Sequence, residues 1–162
     1  MVDEGYDIAQ ICLNGHVINK EVNEFPQHNQ EFCDKCGEKT ITKCEKCNAN
    51  IRGEYYVPGV MAIGFNFPAP KFCYKCGSPY PWTERGLVAA KELAEEIDNL
   101  TKEEKEILKK SLDELTKDSP NTQVAALRFK RIMSKVGKSV GDPLKEILIN
   151  IVSEAGKKAL GI

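Results

Sequence analysis

Long hydrophobic runs are absent from this sequence of 162 residues, and no stretch approaches the roughly 20 apolar residues that a membrane-spanning helix needs. The first ten residues, MVDEGYDIAQ, are acidic and lack the order of basic and then apolar residues that marks a secretory signal. We therefore expect a cytoplasmic protein that does not bind a membrane.

Histidine is scarce, with only His16 and His28 in the chain, and the common catalytic motifs are missing. There is no glycine-rich phosphate-binding loop, no His-Glu-x-x-His pair, and no His-x-Glu followed by Cys-x-x-Cys as in zinc deaminases. The glutamate-rich stretch KELAEEIDNLTKEEKE has the pattern of a solvent-exposed helix face. The sequence therefore predicts a protein that is not an enzyme.

Cysteine is absent after residue 76, although seven cysteines lie up to that position. Cys12 stands alone, and the other six form the Cys-x-x-Cys pairs Cys33 and Cys36, Cys44 and Cys47, and Cys73 and Cys76. Cytoplasmic thiols are kept reduced, so metal binding explains these pairs better than disulfides do. A redox role would require the strand-then-helix context of thioredoxins, which is missing around all three pairs.

The residues after these pairs favour metal-binding turns. A Cys-x-x-Cys turn places two thiolates on one side, and two facing turns supply the four soft ligands of a tetrahedral zinc ion. Gly37 and Gly77 directly follow a second cysteine and permit the positive φ that directs backbone amides at the sulfurs. Asn48 follows Cys47 and can adopt the same left-handed conformation.

Six thiolates are too few for two four-coordinate sites, and Cys12 with His16 completes a set of eight. Gly15 lets the backbone fold back between them, whereas His28 has no turn spacing to a cysteine. The sequence therefore predicts two zinc ions per chain, both structural because each ligand set fills all four positions. The predicted ligands are Cys12, His16, Cys33, Cys36, Cys44, Cys47, Cys73 and Cys76.

Three pairings of these ligand pairs are open. Sequential pairing joins the first pair to the second and the third to the fourth, with 16 and 25 residues between the facing pairs. Interleaved pairing joins the first to the third and the second to the fourth. A third arrangement joins the second to the third and leaves the first to meet the last. We prefer sequential pairing because its spacings suit a ribbon of hairpins.

Two domains are predicted, at residues 1–82 and 83–162. The first contains short apolar runs broken by Gly, Pro and Asn, and such a region needs an added crosslink for stability. Its patterns predict short strands at 30–32, 39–43, 51–57 and 60–67.

Four helices are predicted in the second domain, with start signals at Thr83, at Thr101 with Glu104, at Ser119-Pro120 and at Asp142-Pro143. The third ends at Gly137, and the last is so apolar that we expect it in the centre of a bundle or at an oligomer contact. The predicted fold class is α+β, with two small zinc ribbons of short β-hairpins followed by a four-helix bundle.

The segments CLNGH, FCDKCG, KCEKCN and FCYKCGSPYPWT resemble the metal-binding turns of zinc ribbons in many small prokaryotic proteins. With the helical tail that carries DSPNTQVAALRFKRI, the whole arrangement is similar to an uncharacterised bacterial family of double zinc-ribbon proteins. The resemblance covers nearly the entire chain and implies ligation at the matching cysteines and at His16. It implies no particular activity.

Charge is unevenly distributed over the predicted helices. Residues 84–118 contain eleven acids and seven bases, whereas residues 119–162 contain three acids and eight bases. The third helix carries the basic stripe Arg128, Lys130, Arg131, Lys135 and Lys138. This stripe could contact nucleic-acid phosphates, or it could pair with the acidic first two helices.

The aromatic-rich stretch RGEYYVPGVMAIGFNFPAPKF could present an edge or an apolar groove to a protein or peptide. Alternatively, Tyr55, Phe65, Phe67 and Trp82 pack the ribbons against the bundle. Our leading hypothesis is a zinc-binding adaptor or protein-interaction module. The alternative is a nucleic-acid-binding regulator that uses the ribbon lysines and the basic third helix.

Overall fold

The computed structural model describes residues 3–61 and 63–162, and its contacts divide the chain into two compact units. The first unit ends at Thr83, and the second begins at Glu84. The α+β class is confirmed, because the described residues form small antiparallel sheets in the first part of the chain and five α-helices after them. Division into two domains between residues 82 and 83 stays a prediction.

The first unit contains two small antiparallel sheets. One pairs β1 with β5, and the other has the strand order β3-β2-β4. Their bounds are Gly5–Ile8 for β1, Gln10–Cys12 for β2, Val17–Asn19 for β3, Thr40–Ile41 for β4 and Arg52–Tyr56 for β5. Strand β2 ends at Cys12 and its hairpin partner β3 begins at Val17, so the connecting turn carries His16.

The strand predictions were right in part. The predicted strands at 39–43 and 51–57 contain β4 and β5, but residues 30–32 contribute only a bridge between Phe32 and Lys39. The predicted strand at 60–67 is wrong at every described position, because Gly59 and Gly64 adopt φ values of 80° and 79° that a strand does not allow. Strands β1 to β3 were not predicted, since each has only three or four residues.

A small core holds the first unit together. Its buried members include Ile11, Ile51 and Tyr80, and two cysteines, Cys44 and Cys73, pack among them. Small domains bury too little apolar surface to be stable on that basis alone, and metal ions often supply the missing stability. The cysteines of this core are therefore well placed for such a crosslink.

The second unit is a helical bundle around an apolar core in which leucine is the most frequent residue. The helices are α1 at Pro81–Glu95, whose first three residues belong to the first unit, α2 at Lys102–Leu115, α3 at Thr122–Met133, α4 at Lys138–Ile151 and α5 at Glu154–Leu160. Leu108 and Leu112 of α2 and Leu144 and Leu148 of α4 are fully buried in its core. Helix α4 thus buries one face in the bundle, but Ile149 on this helix is 49% exposed, so α4 does not take the central position that was one of the two expectations. None of the described helices has the length and apolar character to cross a bilayer.

Of the first two predicted helix starts, the one at Thr101 is confirmed and the one at Thr83 is wrong. The Thr101 capping box is confirmed: the Thr101 hydroxyl accepts a hydrogen bond from the Glu104 amide at 3.2 Å, and the Glu104 carboxylate accepts one from the Thr101 amide at 2.9 Å. Helix α1, however, begins at Pro81, before the predicted cap at Thr83. Thr83 is buried, and its hydroxyl donates to the Lys71 carbonyl at 2.9 Å instead.

The predicted four-helix count is corrected to five among the described residues. Gly137, the predicted end of the third helix, is the N-cap of α4, and Pro143 lies inside α4. This helix ends at Ile151 because Val152 is extended, with φ −74° and ψ 140°. The Ser153 hydroxyl then accepts a hydrogen bond from the Gly156 amide at 3.0 Å and caps a separate helix, α5.

Replacing this cap tests the break between α4 and α5. We expect Ser153→Ala to lower the free energy of unfolding of the second unit by about 1 kcal/mol, because the α5 amides lose their side-chain acceptor. Urea unfolding followed by circular dichroism measures the change. The control is Ser139→Ala, at an exposed serine of α4, which should leave the midpoint almost unchanged. Equal midpoints for both variants would contradict the capping role of Ser153.

Candidate metal centres

Eight ligand atoms gather into two groups in the first unit, and the atoms of each group lie within 4.8 Å of one another. The first group contains Cys12, His16, Cys33 and Cys36, and the second contains Cys44, Cys47, Cys73 and Cys76. This is the sequential grouping of the four pairs. His28 belongs to neither group, and its ring stacks on Phe25.

The spacing of the ligand atoms fits a tetrahedral ion. Bonds of about 2.3 Å from zinc to sulfur and about 2.1 Å to nitrogen require sulfurs about 3.8 Å apart and a nitrogen about 3.6 Å from each sulfur. In the first group, His16 Nδ1 lies 3.4 Å from Cys12 Sγ and 3.5 Å from Cys33 Sγ. The Sγ atoms of Cys12 and Cys36 are 3.8 Å apart.

The second group has the same dimensions with sulfur at all four positions. The Sγ atoms of Cys44 and Cys76 are 3.8 Å apart, and those of Cys47 and Cys73 are 3.6 Å apart. All seven cysteines are free of disulfides, whose sulfurs would be about 2.05 Å apart. Both groups could hold a metal ion, and ligation by these eight residues, with zinc as the metal, stays a prediction.

The three Cys-x-x-Cys turns share one backbone conformation. In each, the amide of the residue after the second cysteine donates to the carbonyl of the first, over 2.7 to 2.9 Å. The donating residues Gly37, Asn48 and Gly77 have φ values of 73°, 62° and 73°. The left-handed conformation predicted at these positions is therefore confirmed.

The turn from Cys12 to His16 brings its two ligand atoms together through different hydrogen bonds. The Cys12 amide donates to the His16 carbonyl at 3.0 Å, and the His16 amide donates to Cys12 Sγ at 3.3 Å. Gly15 has a φ of 91°, and a Cβ atom there would lie only 2.9 Å from Cβ of Trp82. Glycine is therefore required at this position by both its conformation and its contact with Trp82.

Backbone amides make the first group suitable for thiolates. The Glu38 amide donates to the exposed Cys36 sulfur and lowers the pKa of that thiol to about 6. Cys12 is fully buried, and burial raises its pKa against hydrogen bonds from the amides of His16 and Asn14. The group therefore combines an exposed thiol that ionises readily with a buried thiol whose ionised form a nearby cation would stabilise.

The thiols of the second group differ in how readily they ionise. Burial acts to raise the pKa of Cys73, but the amides of Cys76 and Lys75 lower it to about 6. The Ala49 amide acts to lower the pKa of Cys47, yet burial and the other three thiols raise it to about 11. Full ionisation therefore needs a cation among the sulfurs, as a divalent metal would provide.

Three residues beside the ligands were missed by the sequence analysis. Tyr80 is almost completely buried and hydrogen-bonds Cys73; burial and the charge of Cys73 raise its pKa, so its hydroxyl stays a donor. The side chains of Asn14 and Ser78 hydrogen-bond Cys36 and Cys76. All three lie within four residues of a cysteine, but spacing alone does not distinguish them from other polar neighbours.

Removing the Tyr80 hydroxyl should weaken metal binding at the second group. A hydrogen bond to a ligand orients it and stabilises its charge, and its loss commonly costs about tenfold or more in metal affinity. We expect Tyr80→Phe to lose about one order of magnitude in zinc affinity there, measured by competition with a chelator. Tyr56→Phe, which lies at the end of β5, is the matched control and should bind zinc normally. Unchanged affinity in Tyr80→Phe would contradict the role given to this hydroxyl.

The histidine ligand can be tested by counting metal. We expect two zinc ions per chain in the native protein, and about one in His16→Ala or Cys12→Ser because a tetrahedral site that loses a ligand binds zinc more weakly. His28→Ala is the matched control and should keep both ions, since His28 lies outside both groups. Elemental analysis of the purified proteins gives the ratio. One zinc ion in the native protein would show that the predicted ligand set is wrong.

Comparison with known proteins places the chain in a family without supplying an activity. No curated protein and no solved structure matches it. The predicted resemblance to an uncharacterised bacterial family is confirmed in this coarse form, while assignment of that family to the zinc ribbons stays a prediction. The match covers residues 5–160, and the chain therefore belongs to the family described as uncharacterized proteins conserved in bacteria, DUF2321.

Proposed function

We propose that this protein is a cytoplasmic, zinc-dependent interaction module that binds another protein and has no enzymatic activity. Two structural zinc ions hold the first unit in its binding conformation. The observation that carries this proposal is an apolar segment left at the surface of the metal-binding unit. Val60, Met61, Ile63 and Phe65 are 63%, 83%, 79% and 74% exposed.

A structural role for the metal follows from the number of ligands. Catalytic zinc usually has three protein ligands and keeps one position for a water molecule or the substrate. Each group in this protein offers four ligand atoms, so a bound ion would have no such position. Thiolate-rich groups also reduce the Lewis acidity of zinc, which supports structural ions at both centres.

The exposed segment is larger than scattered surface hydrophobics would explain. Trp82 is buried in the core of the first unit and Phe67 packs against it, so these two aromatics have a structural role. Phe65 and Tyr55, by contrast, are 74% and 46% exposed. Contiguous exposed apolar side chains on a folded unit mark interaction sites.

The chain path connects this segment to the second metal centre. It lies between Cys47 and Cys73, which belong to the same ligand group. An ion in that group would close the loop that carries the segment and restrict its conformations, which favours binding by lowering the entropy lost on association. Metal and partner binding should therefore be coupled.

The alternative, a nucleic-acid-binding regulator, has less support. Lys135 of the basic stripe forms an ion pair with Glu104. Arg128 lines the same surface hollow as Asp113 and Glu114, whose carboxylates reduce its attraction for phosphates. Affinity for nucleic acid at cellular salt usually requires several unopposed basic contacts.

The proposal predicts protein binding that depends on both the metal and the exposed segment. We expect the zinc-loaded full chain to capture a specific protein from a bacterial lysate, identified by mass spectrometry, and to lose it after chelation. Phe65→Ser should lose most of the binding, because it removes an exposed aromatic ring from the segment. Leu127→Ser, at a residue of α3 that is 60% exposed, is the control and should bind normally.

Other outcomes separate the hypotheses. Capture of nucleic acid alone, weakened by salt and by Arg128→Ala with Arg131→Ala, would support the alternative instead. Zinc-dependent turnover of a nucleotide or peptide panel would contradict the absence of enzymatic activity. Protein capture that persists without metal would contradict the coupling.

A further inference from the structure

A hollow of about 360 Å³ opens on the first unit, and Val60, Met61 and Ile63 of the exposed segment line part of it. Its apolar wall includes Phe25, Val57, Val60 and Met61. Ligand pockets in proteins commonly have volumes of about 300–1,000 Å³, so this hollow has room for a few side chains of a bound segment.

The lining also carries carboxylates on a well-fixed turn. The amides of Asn23 and Glu24 donate to the buried Asp7 carboxylate at 3.0 and 3.1 Å. The Val22 amide donates to the Ile8 carbonyl at 3.0 Å, which ties the same turn to β1. The carboxylates of Glu21 and Glu24 therefore line the hollow on a backbone that β1 holds in place.

Negative charge exceeds positive charge in and around the hollow. Asp7, Glu21, Glu24 and Glu54 line it, and no lysine or arginine does among the described lining residues. Lys20 forms an ion pair with Glu54 from outside the lining. Burial raises the pKa of Glu21, and the carboxylates of Glu54, Asp7 and Glu24 add to this effect although Lys20 opposes it. The lining of the hollow therefore carries excess negative charge.

A divalent metal ion is a poorer occupant than an organic cation. The Asp7 carboxylate already accepts backbone hydrogen bonds on both oxygens, and Glu54 is paired with Lys20. This leaves Glu21 and Glu24 as the main acceptors, whereas calcium sites commonly use six or more oxygens. The adjoining apolar wall favours a ligand that combines a positive charge with a hydrophobic part.

We propose that this hollow binds a basic, apolar segment of the partner protein. A lysine or arginine of that segment pairs with Glu21 and Glu24, and its neighbouring apolar side chains cover Val57 and Val60. Long cationic side chains suit such a site because their aliphatic stems pack on apolar surface while the charged end reaches a carboxylate. This inference rests on the proposed function and specifies the chemistry of the partner.

Labelled peptides provide a direct test with the zinc-loaded full chain. The probe is a fluorescent pentapeptide that alternates leucine with lysine. One comparison peptide has glutamate in place of lysine, and another has glycine in place of leucine. We expect the leucine-lysine peptide to bind most tightly in fluorescence anisotropy and to weaken as sodium chloride rises from about 50 to about 500 mM, because salt screens the charge pairs.

Matched variants measure separately what the acidic and the apolar residues of the hollow contribute to binding. Glu21→Gln with Glu24→Gln should weaken binding about fivefold or more, since two partly exposed charge pairs are lost. Glu31→Gln, at an exposed acid outside the lining, should bind as the native protein does. Val60→Ser should weaken binding severalfold, whereas Val88→Ser, at a residue of α1 that is 55% exposed, should not change it.

Three results would overturn the inference. One is equal binding of the leucine-glutamate peptide, and another is unchanged affinity in the Glu21 and Glu24 double variant. The third is a native dimer that dissociates with Val60→Ser in analytical ultracentrifugation, which would make a second copy of this chain the occupant. If a captured protein still binds the double variant normally, the proposed function stands and only this inference fails. If the native chain captures no protein in a metal-dependent way, the proposed function itself is contradicted.

Discussion

The first unit depends on bringing soft ligand atoms within 4.8 Å of one another in two groups. Burial opposes the ionisation of Cys73, but the amides of Cys76 and Lys75 lower its pKa to about 6. At Cys47 the Ala49 amide favours ionisation, yet burial and the neighbouring thiols oppose it and raise the pKa to about 11. A divalent cation removes this opposition and converts it into attraction. Since the surrounding core is small and contains Cys44 and Cys73 themselves, the free energy of binding a metal here would also be free energy of folding for this unit.

The two metal centres are joined by a pair of aromatic residues. Tyr80 hydrogen-bonds Cys73 of the second group and stacks on Trp82, with ring centroids 4.7 Å apart. Trp82 packs against Gly15 in the turn between Cys12 and His16, and its indole donates to the Pro70 carbonyl at 2.8 Å. Tyr80 and Trp82 therefore form a continuous packed path between the two ligand groups, at the start of α1.

The candidate metal-binding turns could be predicted because they depend on local sequence. Features that depend on contacts between distant parts of the chain could not. The turn residues Gly37 and Gly77 and the Thr101 capping box act over at most four residues, so the sequence displays them directly. The sequence could favour the grouping of the cysteine pairs only by their spacing, because it depends on how distant turns meet. Strands β1 to β3 are too short for an alternating pattern to stand out. The break at Val152 escaped prediction because apolar residues continue through it and Ser153 resembles an ordinary helix serine.

Metal ions in the two ligand groups would also explain how the first unit can leave apolar residues at its surface. A unit stabilised by burial alone would gain from covering Val60 and Phe65, but these side chains stay 63% and 74% exposed. Stability supplied by bound metal would remove that requirement and leave the residues between Cys47 and Cys73 available for contact with another molecule. The carboxylates of Glu21 and Glu24, on the turn that β1 holds in place, would then add charge selectivity. Apolar contacts alone would leave this surface nonspecific. A bound metal would thus favour partner binding indirectly. It would supply the stability that these side chains would otherwise have to supply by forming a larger core.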